Sequence, residues 1–104
     1  MKRKKLVFKS KYARDILLRR KVATIRLLSN VNVGDVVDVI AGHLKVGTAV
    51  VEGVAVKKLR DLDEIDALMD GYRSKDDLLR DLRKIYGNKI RDDTEVKIVY
   101  FRLL

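Results

Sequence analysis

The sequence contains no cysteine and no tryptophan, and His43 is its single histidine. Without cysteine, the chain has no disulfide framework, no thiolate zinc site and no cysteine nucleophile. One histidine rules out a histidine-rich metal cluster and argues against a Ser-His-Asp triad. No apolar run approaches the ~18 residues that a membrane-spanning helix needs, and the apolar residues 6–8 are too few for a signal-peptide core. We therefore expect a soluble, cytoplasmic protein with no metal and no cofactor.

Positive charge is in excess and is unevenly placed. The chain carries 24 Lys and Arg residues against 15 Asp and Glu residues, a net charge of +9. Residues 1–26 hold 11 basic residues and one acidic residue, whereas residues 27–104 hold 13 basic and 14 acidic residues. The excess at 2–5, 9 and 11 predicts a diffuse electropositive patch, and the usual partner of such a patch is a polyanion such as RNA. The high share of charged residues, with no glutamine, is typical of thermophile proteins.

The hydrophobic pattern predicts one domain over residues 1–104 with the element order β-α-β-β-β-α-α-β. Ser10 is the predicted N-cap of the first helix, and the pairs Asp63/Asp66 and Ser74/Asp77 predict the starts of two later helices. Glycines inside the long central strand predict bulges that curl the sheet. We expect an α+β fold, a curled sheet or barrel with about three helices packed on it. The predicted strands cover residues 5–9, 24–28, 36–41, 44–57 and 94–103, and the helix after Ser10 ends near residue 19.

One short segment, residues 19–26, carries the polar residues that suggest chemistry. Lys21, Thr24 and Arg26 follow one another at i, i+3 and i+5, and alternation in an extended segment places Thr24 and Arg26 on one face. Such a set could hold a phosphate or another anion. It could also provide an amine nucleophile with a hydroxyl helper, since Arg19, Arg20 and Arg26 would lower the pKa of Lys21. From spacing alone, a solvated basic loop is the favoured interpretation.

The sequence resembles the ASCH domain family, which belongs to the PUA-like superfold, over nearly its whole length. The family signature Gly-x-Lys-x-x-Thr/Ser-x-Arg is matched by Lys21, Thr24 and Arg26. The segment at 70–78 resembles the family's Glu-Gly-Phe-x-Ser-x-x-x-Leu motif. Two positions depart from the pattern: Arg19 replaces the signature glycine, so a glycine-only backbone geometry is not expected there. Asp70 replaces the glutamate and is one methylene shorter, so its carboxylate is at risk of falling short of a position set for glutamate.

The resemblance implies a PUA-like β-barrel flanked by helices, with a cleft beside the signature. It implies a monomeric, RNA-binding or nucleotide-binding module that contacts its ligand through Arg19, Arg20, Lys21, Thr24, Arg26 and Tyr72. The alternative that it implies is a small amidohydrolase acting on N4-acylated cytidine. In that alternative Lys21 is the nucleophile or base, Thr24 is its hydroxyl partner and Asp70 is the acid/base group. The two departures weaken the catalytic alternative more than the binding one.

The remaining polar and aromatic residues are given simpler interpretations. His43 is predicted in an exposed hairpin turn. Tyr72 either stacks on a base or packs in the core, and Tyr12 is expected on the buried side of the first helix. Core packing is expected for Tyr86, Tyr100 and Phe101. Solvated helix surface is expected for the acidic residues at 61, 63, 64, 66, 76, 77 and 81, whose spacing fits no metal-binding loop.

Overall fold

A computed structural model describes residues 3–104 and has five strands and three α-helices in the predicted order. Lys2, part of the predicted basic patch, lies outside the described residues. Across residues 3–104 no helix has the length and apolar character needed to cross a membrane. The strands are β1 (Lys5–Phe8), β2 (Ala23–Arg26), β3 (Val36–Ala41), β4 (Leu44–Lys58) and β5 (Glu95–Leu103). The helices are α1 (Ala13–Leu17), α2 (Glu64–Met69) and α3 (Lys75–Tyr86), with short 3-10 turns at Ser10–Tyr12, Leu59–Asp61 and Gly87–Lys89.

The five strands form one curled, mixed sheet in the order β1-β3-β4-β5-β2. β1 pairs with β3 in parallel, and the other three pairings are antiparallel. The sheet curls until its two edge strands approach each other, and Arg26 Nη2 on β2 donates a hydrogen bond to the carbonyl of Val7 on β1 (2.7 Å). The predicted α+β architecture, a curled sheet flanked by three helices, is therefore confirmed, with an open seam between β1 and β2.

A bulge in the long strand β4 helps to produce this curl. Its register against β5 shifts between Val51 and Gly53, as the glycine pattern predicts. A Cβ atom at Gly53 would lie 3.3 Å from the ring of Tyr100, which is a tight contact. Glycine at the bulge therefore lets the Tyr100 ring of β5 lie close to β4. The hairpin turn at Gly42 and exposed His43 is likewise confirmed, since Ala41 pairs directly with Leu44.

Both faces of the sheet are buried, and each supports its own apolar cluster. On β5, Val96 and Ile98 point to one cluster, while Val99 and Phe101 point to the other. The first cluster packs α2 and α3 on the sheet, and it consists of Ala23, Ile25, Leu59, Leu62, Ala67, Leu78, Leu82, Ile90, Val96 and Ile98. The second packs inside the curl against α1, and it consists of Leu6, Phe8, Ile16, Val31, Val37, Val39, Ala49, Val51, Val99 and Phe101.

The helix starts match the sequence prediction except at the first helix. Asp63 and Asp66 form a reciprocal capping box, and the Ser74 hydroxyl accepts from the backbone N–H of Asp77. Ser10 was expected to cap the first helix, but its side chain makes no capping bond, because the chain enters through a 3-10 turn first.

The buried face of α2 also differs from the prediction. Ile65 and Leu68, two apolar residues of α2, are 66% and 56% exposed, whereas Asp66 is buried. The reason is that Asp66 accepts from the backbone N–H of Asp63 and from Lys57 Nζ of β4 (2.8 Å), which turns its side of the helix toward the sheet. The expectation that Asp66 is part of a solvated helix surface is therefore wrong.

Candidate functional site

The loop that carries the signature residues begins with a tight reversal after α1. The N–H of Arg19 donates to the carbonyl of Ile16, and the N–H of Arg20 donates to the carbonyl of Asp15 (2.8 Å). Arg19 has a φ of 60°, the left-handed conformation that most often belongs to glycine at this position of a Schellman motif. The expectation that Arg19 prevents a glycine-type geometry is therefore wrong. The arginine adopts the left-handed backbone itself, at a cost of roughly 1–2 kcal/mol.

The next residues bring Lys21 and Asp70 together although they are 49 positions apart. The N–H of Val22 donates to the carbonyl of Met69 (2.9 Å), which ties the entry of β2 to the end of α2. Lys21 Nζ then donates to the Asp70 carbonyl oxygen (2.8 Å) and forms a buried ion pair with the Asp70 carboxylate. The two side chains are 4% and 5% exposed. The shorter aspartate thus reaches the lysine, because the backbone link brings it close.

Thr24 and Arg26 project from β2 toward the same place, as alternation along the strand predicts. Arg26 Nε donates to Thr24 Oγ1 (3.2 Å), and the guanidinium lies over the ring of Phe8 at 5.0 Å. Thr24 is buried, and Ile25 belongs to the apolar cluster under α2 and α3. The same guanidinium donates to the Val7 carbonyl of β1 across the seam. Arg26 therefore holds the Thr24 hydroxyl in place and also links the two edge strands.

These four polar residues line one cleft of about 210 Å³ in the seam between β1 and β2. Four aromatic rings line it as well: Phe8, Tyr12, Tyr72 and Tyr86. Lys21 Nζ lies 5.5 Å from the ring centre of Phe8 and 5.1 Å from that of Tyr12. We call this cavity the seam cleft. It combines flat apolar walls with a polar floor, the composition of a site for a small planar, polar ligand.

Burial perturbs both members of the ion pair in the seam cleft. It lowers the pKa of the Lys21 amine, with a smaller contribution from Arg26, even though Asp70 opposes the shift. Burial also raises the pKa of Asp70 to about 6, although Lys21 opposes this shift. The predicted direction for Lys21 is thus correct, but loss of solvent rather than neighbouring arginines is its main cause. Both shifts disfavour the charged forms, so transfer of a proton from Lys21 to Asp70 within the ion pair costs less than it would in water.

The other predicted contact residues are divided between two places. Tyr72 is half-buried and lines the seam cleft with Lys21, Thr24 and Arg26. Arg19 and Arg20 are exposed and lie outside its lining. Arg19 instead lines a neighbouring cleft of about 180 Å³ that shares Lys21 as a wall.

The basic patch at the start of the chain is smaller than its charge predicts. Lys4 Nζ donates to Asp35 (3.0 Å), and Arg3 lies 3.6 Å from Asp38. Both acids belong to the β3 region, so part of the N-terminal charge is neutralised within the protein. Among the described residues Lys5 is exposed and makes no ion pair, and Lys9 is the first basic residue that lines the seam cleft.

Sequence reasoning missed several residues of the site. Tyr12, expected on the buried side of α1, and Tyr86, expected in the core, are half-buried and line the seam cleft. Asp81, expected on a solvated helix surface, accepts from the hydroxyls of Tyr12 and Tyr72. Phe8 alternates with Leu6 as a core residue does, and no local pattern shows that its ring faces a cavity. These residues meet through the sheet's curl, which single-sequence periodicity does not describe.

Comparisons with known proteins support the fold. No protein-family model matches the sequence, and no curated protein matches it. An ASCH domain from Lactobacillus crispatus aligns with a TM-score of 0.77 at 17% identity, over 88% of this chain and 69% of that chain. A DUF984 protein from Enterococcus faecalis gives 0.80 at 14% identity, over 100% and 82%. An ASCH protein from Zymomonas mobilis gives 0.71 at 11% identity, over 93% and 64%. The chain therefore has the fold of ASCH domains.

Proposed function

We propose that this ASCH-fold protein hydrolyses the exocyclic amide of an N4-acylated cytidine or a closely related acylated nucleoside. The observation that carries the proposal is the meeting of Lys21, Thr24 and Asp70 in the floor of the seam cleft. The resemblance assigns roles to these three residues, and the buried pair of Lys21 and Asp70 lies within the cleft that a ligand would enter. Strongly perturbed titratable groups that converge in a cleft favour a catalytic site.

Each residue has a task that its surroundings favour. In the uncharged form of the pair, the Lys21 amine accepts the hydroxyl proton of Thr24. The hydrogen bond from Arg26 Nε stabilises the negative charge that develops on Thr24 Oγ1. The protonated Asp70 carboxyl supplies a proton to the departing nitrogen, a role for which a pKa of about 6 is suited near neutral pH.

The proposed reaction proceeds in two balanced steps. Thr24 Oγ1 attacks the acyl carbon, the C–N4 bond breaks, and N4 takes the proton from Asp70, which releases cytidine and leaves an acyl ester on Thr24. Water then attacks this ester and gives a proton to the Asp70 carboxylate, Lys21 returns the proton to Oγ1, and the carboxylic acid leaves. The sum consumes one amide and one water and yields cytidine and a carboxylic acid.

Incubation of the purified protein with N4-acetylcytidine, followed by chromatography of the nucleosides, tests the proposal. The wild-type protein is expected to release cytidine, and Lys21→Ala and Thr24→Ala are expected to abolish the release. Lys5→Ala is the matched control, since Lys5 is exposed on β1 and away from the cleft lining. N4-acetylcytidine that stays intact from neutral to alkaline pH would show that the proposal is wrong.

Binding of single-stranded RNA is a second candidate function, and a specific observation favours it. Lys9 and Arg26 line a cleft with four aromatic rings, and exposed Lys11, Arg19 and Arg20 continue the positive charge beside it. Rings that stack on bases, next to cations that contact phosphates, are typical of single-strand binding. Fluorescence anisotropy with labelled RNA should then give a log-log salt slope of roughly −0.7 per phosphate contact. No affinity at low salt would contradict this second function.

A further inference from the structure

One carboxylate outside the proposed catalytic set, Asp81 on α3, anchors a wall of the seam cleft. Its Oδ2 accepts a hydrogen bond from the hydroxyl of Tyr12 (3.2 Å) and another from the hydroxyl of Tyr72. The two hydroxyl oxygens lie 3.4 Å apart. Three segments distant in sequence, the turn before α1, the loop after α2 and the middle of α3, thus meet at one carboxylate.

The two tyrosines form a partition between two cavities. Both line the seam cleft, and both also line a shallower groove on the side of α3, to which Asp81 contributes. The ring of Tyr12 has Lys21 Nζ at 5.1 Å from its centre and Lys11 Nζ, also at 5.1 Å. The ring of Tyr12 therefore lies beside the Lys21 amine in the floor of the seam cleft, and Asp81 of α3 holds the hydroxyl ends of both tyrosines.

The hydrogen bonds to Asp81 determine whether the two tyrosine hydroxyls can donate or accept a hydrogen bond from a ligand. Hydrogen bonding by Tyr72, followed by smaller effects of Tyr12, Lys11 and Lys9, lowers the pKa of Asp81, so Asp81 is an acceptor at neutral pH. Each phenol has one hydrogen, and both hydrogens are used within this cluster. A ligand group that reaches either hydroxyl oxygen meets an acceptor and must itself donate, as an amino or amide N–H does.

We propose that Asp81 is a positioning residue for nucleobase recognition, because it fixes Tyr12 and Tyr72 as a wall that presents rings and acceptor oxygens to the base. This inference rests on the proposed function in that it takes the ligand of the seam cleft to be a nucleoside. It adds the preference that follows from the chemistry: a base edge with an exocyclic N–H, as in cytidine, is favoured over one with a carbonyl, as in uridine.

Binding and turnover measured on the same variants test the inference. In NMR titrations the wild-type protein binds cytidine more tightly than uridine. Asp81→Ala weakens cytidine binding by about tenfold, the effect expected when one stacking or hydrogen-bonding partner is misplaced. Asp81→Asn, which keeps an acceptor oxygen, recovers part of this loss. Tyr72→Phe keeps the ring but removes the hydroxyl oxygen, so it reduces the difference between the affinities for cytidine and for uridine. Asp76→Ala is the control, since Asp76 is an exposed acid of the same helix.

With N4-acetylcytidine as substrate, Asp81→Ala should raise KM and leave kcat within about twofold, because Asp81 acts through the wall and not on the reacting atoms. Unchanged cytidine affinity in Asp81→Ala overturns the inference alone, and so does a fall in kcat at constant KM. If the wild-type protein binds cytidine but does not hydrolyse N4-acetylcytidine, the proposed hydrolase is wrong. The cytidine affinities of the wild-type protein and Asp81→Ala then decide the role of Asp81. A wild-type protein that binds neither cytidine nor N4-acetylcytidine overturns both.

Discussion

The buried pair Lys21–Asp70 predicts a strong energetic coupling that a double-mutant cycle can measure. Both side chains are about 95% buried, and the lysine also satisfies the Asp70 carbonyl oxygen. Removal of one partner of such a pair typically costs about 3–5 kcal/mol, because the other charge stays buried alone. We expect Lys21→Met and Asp70→Asn each to destabilise the protein by an amount in this range at neutral pH.

The double variant Lys21→Met/Asp70→Asn should recover most of that loss. Methionine fills the volume of the lysine stem, and asparagine keeps the size and shape of the aspartate side chain without its charge. Uncharged replacements of a buried ion pair are often neutral or stabilising. Unfolding in guanidinium, followed by circular dichroism at constant m-value, gives the four free energies. Additive single effects, or single losses below about 0.5 kcal/mol, would refute the coupling argument.

The two single variants should respond to pH in opposite directions. In Lys21→Met, Asp70 keeps a pKa raised above its unfolded value, so the folded state binds the extra proton and stability falls as pH rises from about 4. In Asp70→Asn, Lys21 keeps a lowered pKa, so the folded state releases a proton and stability rises as pH increases toward 10. One proton limits each slope to about 1.4 kcal/mol per pH unit. Equal slopes in the two variants would contradict the burial of the pair.

Other predictions concern the loop, the pH profile and a helix cap. Arg19→Gly should raise the free energy of unfolding by about 1 kcal/mol, because glycine adopts the left-handed backbone without strain, while Arg20→Gly should bring no such gain in the same guanidinium assay. The kcat/KM for N4-acetylcytidine should fall as pH drops below about 6, because the pair then carries two protons and the Lys21 amine can no longer accept the Thr24 proton, and a pH–rate profile of the wild-type protein measures this fall. Ser74→Ala should cost about 1 kcal/mol through loss of the α3 cap, whereas Ser10→Ala, which removes no capping bond, should change thermal stability little.

Local signals in the sequence were sufficient for the elements of the fold. The capping pairs at Asp63 and Ser74 start helices as predicted, and Gly53 marks the bulge in β4. The signature spacing was also sufficient to place Thr24 and Arg26 on one face, because alternation along a strand is a local property. What these signals share is that each depends on residues a few positions apart.

The missed parts of the site depend on contacts between distant segments. Phe8, Tyr12 and Tyr86 come from a strand, a 3-10 turn and a helix end, and they share a cavity because the sheet curls. Asp66 shows the same limit in the core, since its capping bond and its ion pair with Lys57 override the apolar pattern of α2. Arg19 shows a third case: the backbone motif prevails over the residue's preference, because two main-chain hydrogen bonds hold the turn.

Hydrolysis of N4-acetylcytidine by the wild-type protein and by the folded double variant Lys21→Met/Asp70→Asn tests the central claim most directly. The double variant is expected to keep the fold and the aromatic walls of the seam cleft while it lacks the amine and the acid. The account predicts that the wild-type protein releases cytidine and that the double variant releases none under the same conditions. Equal rates for the two proteins, or no release by the wild-type protein, would contradict a catalytic role for the buried pair.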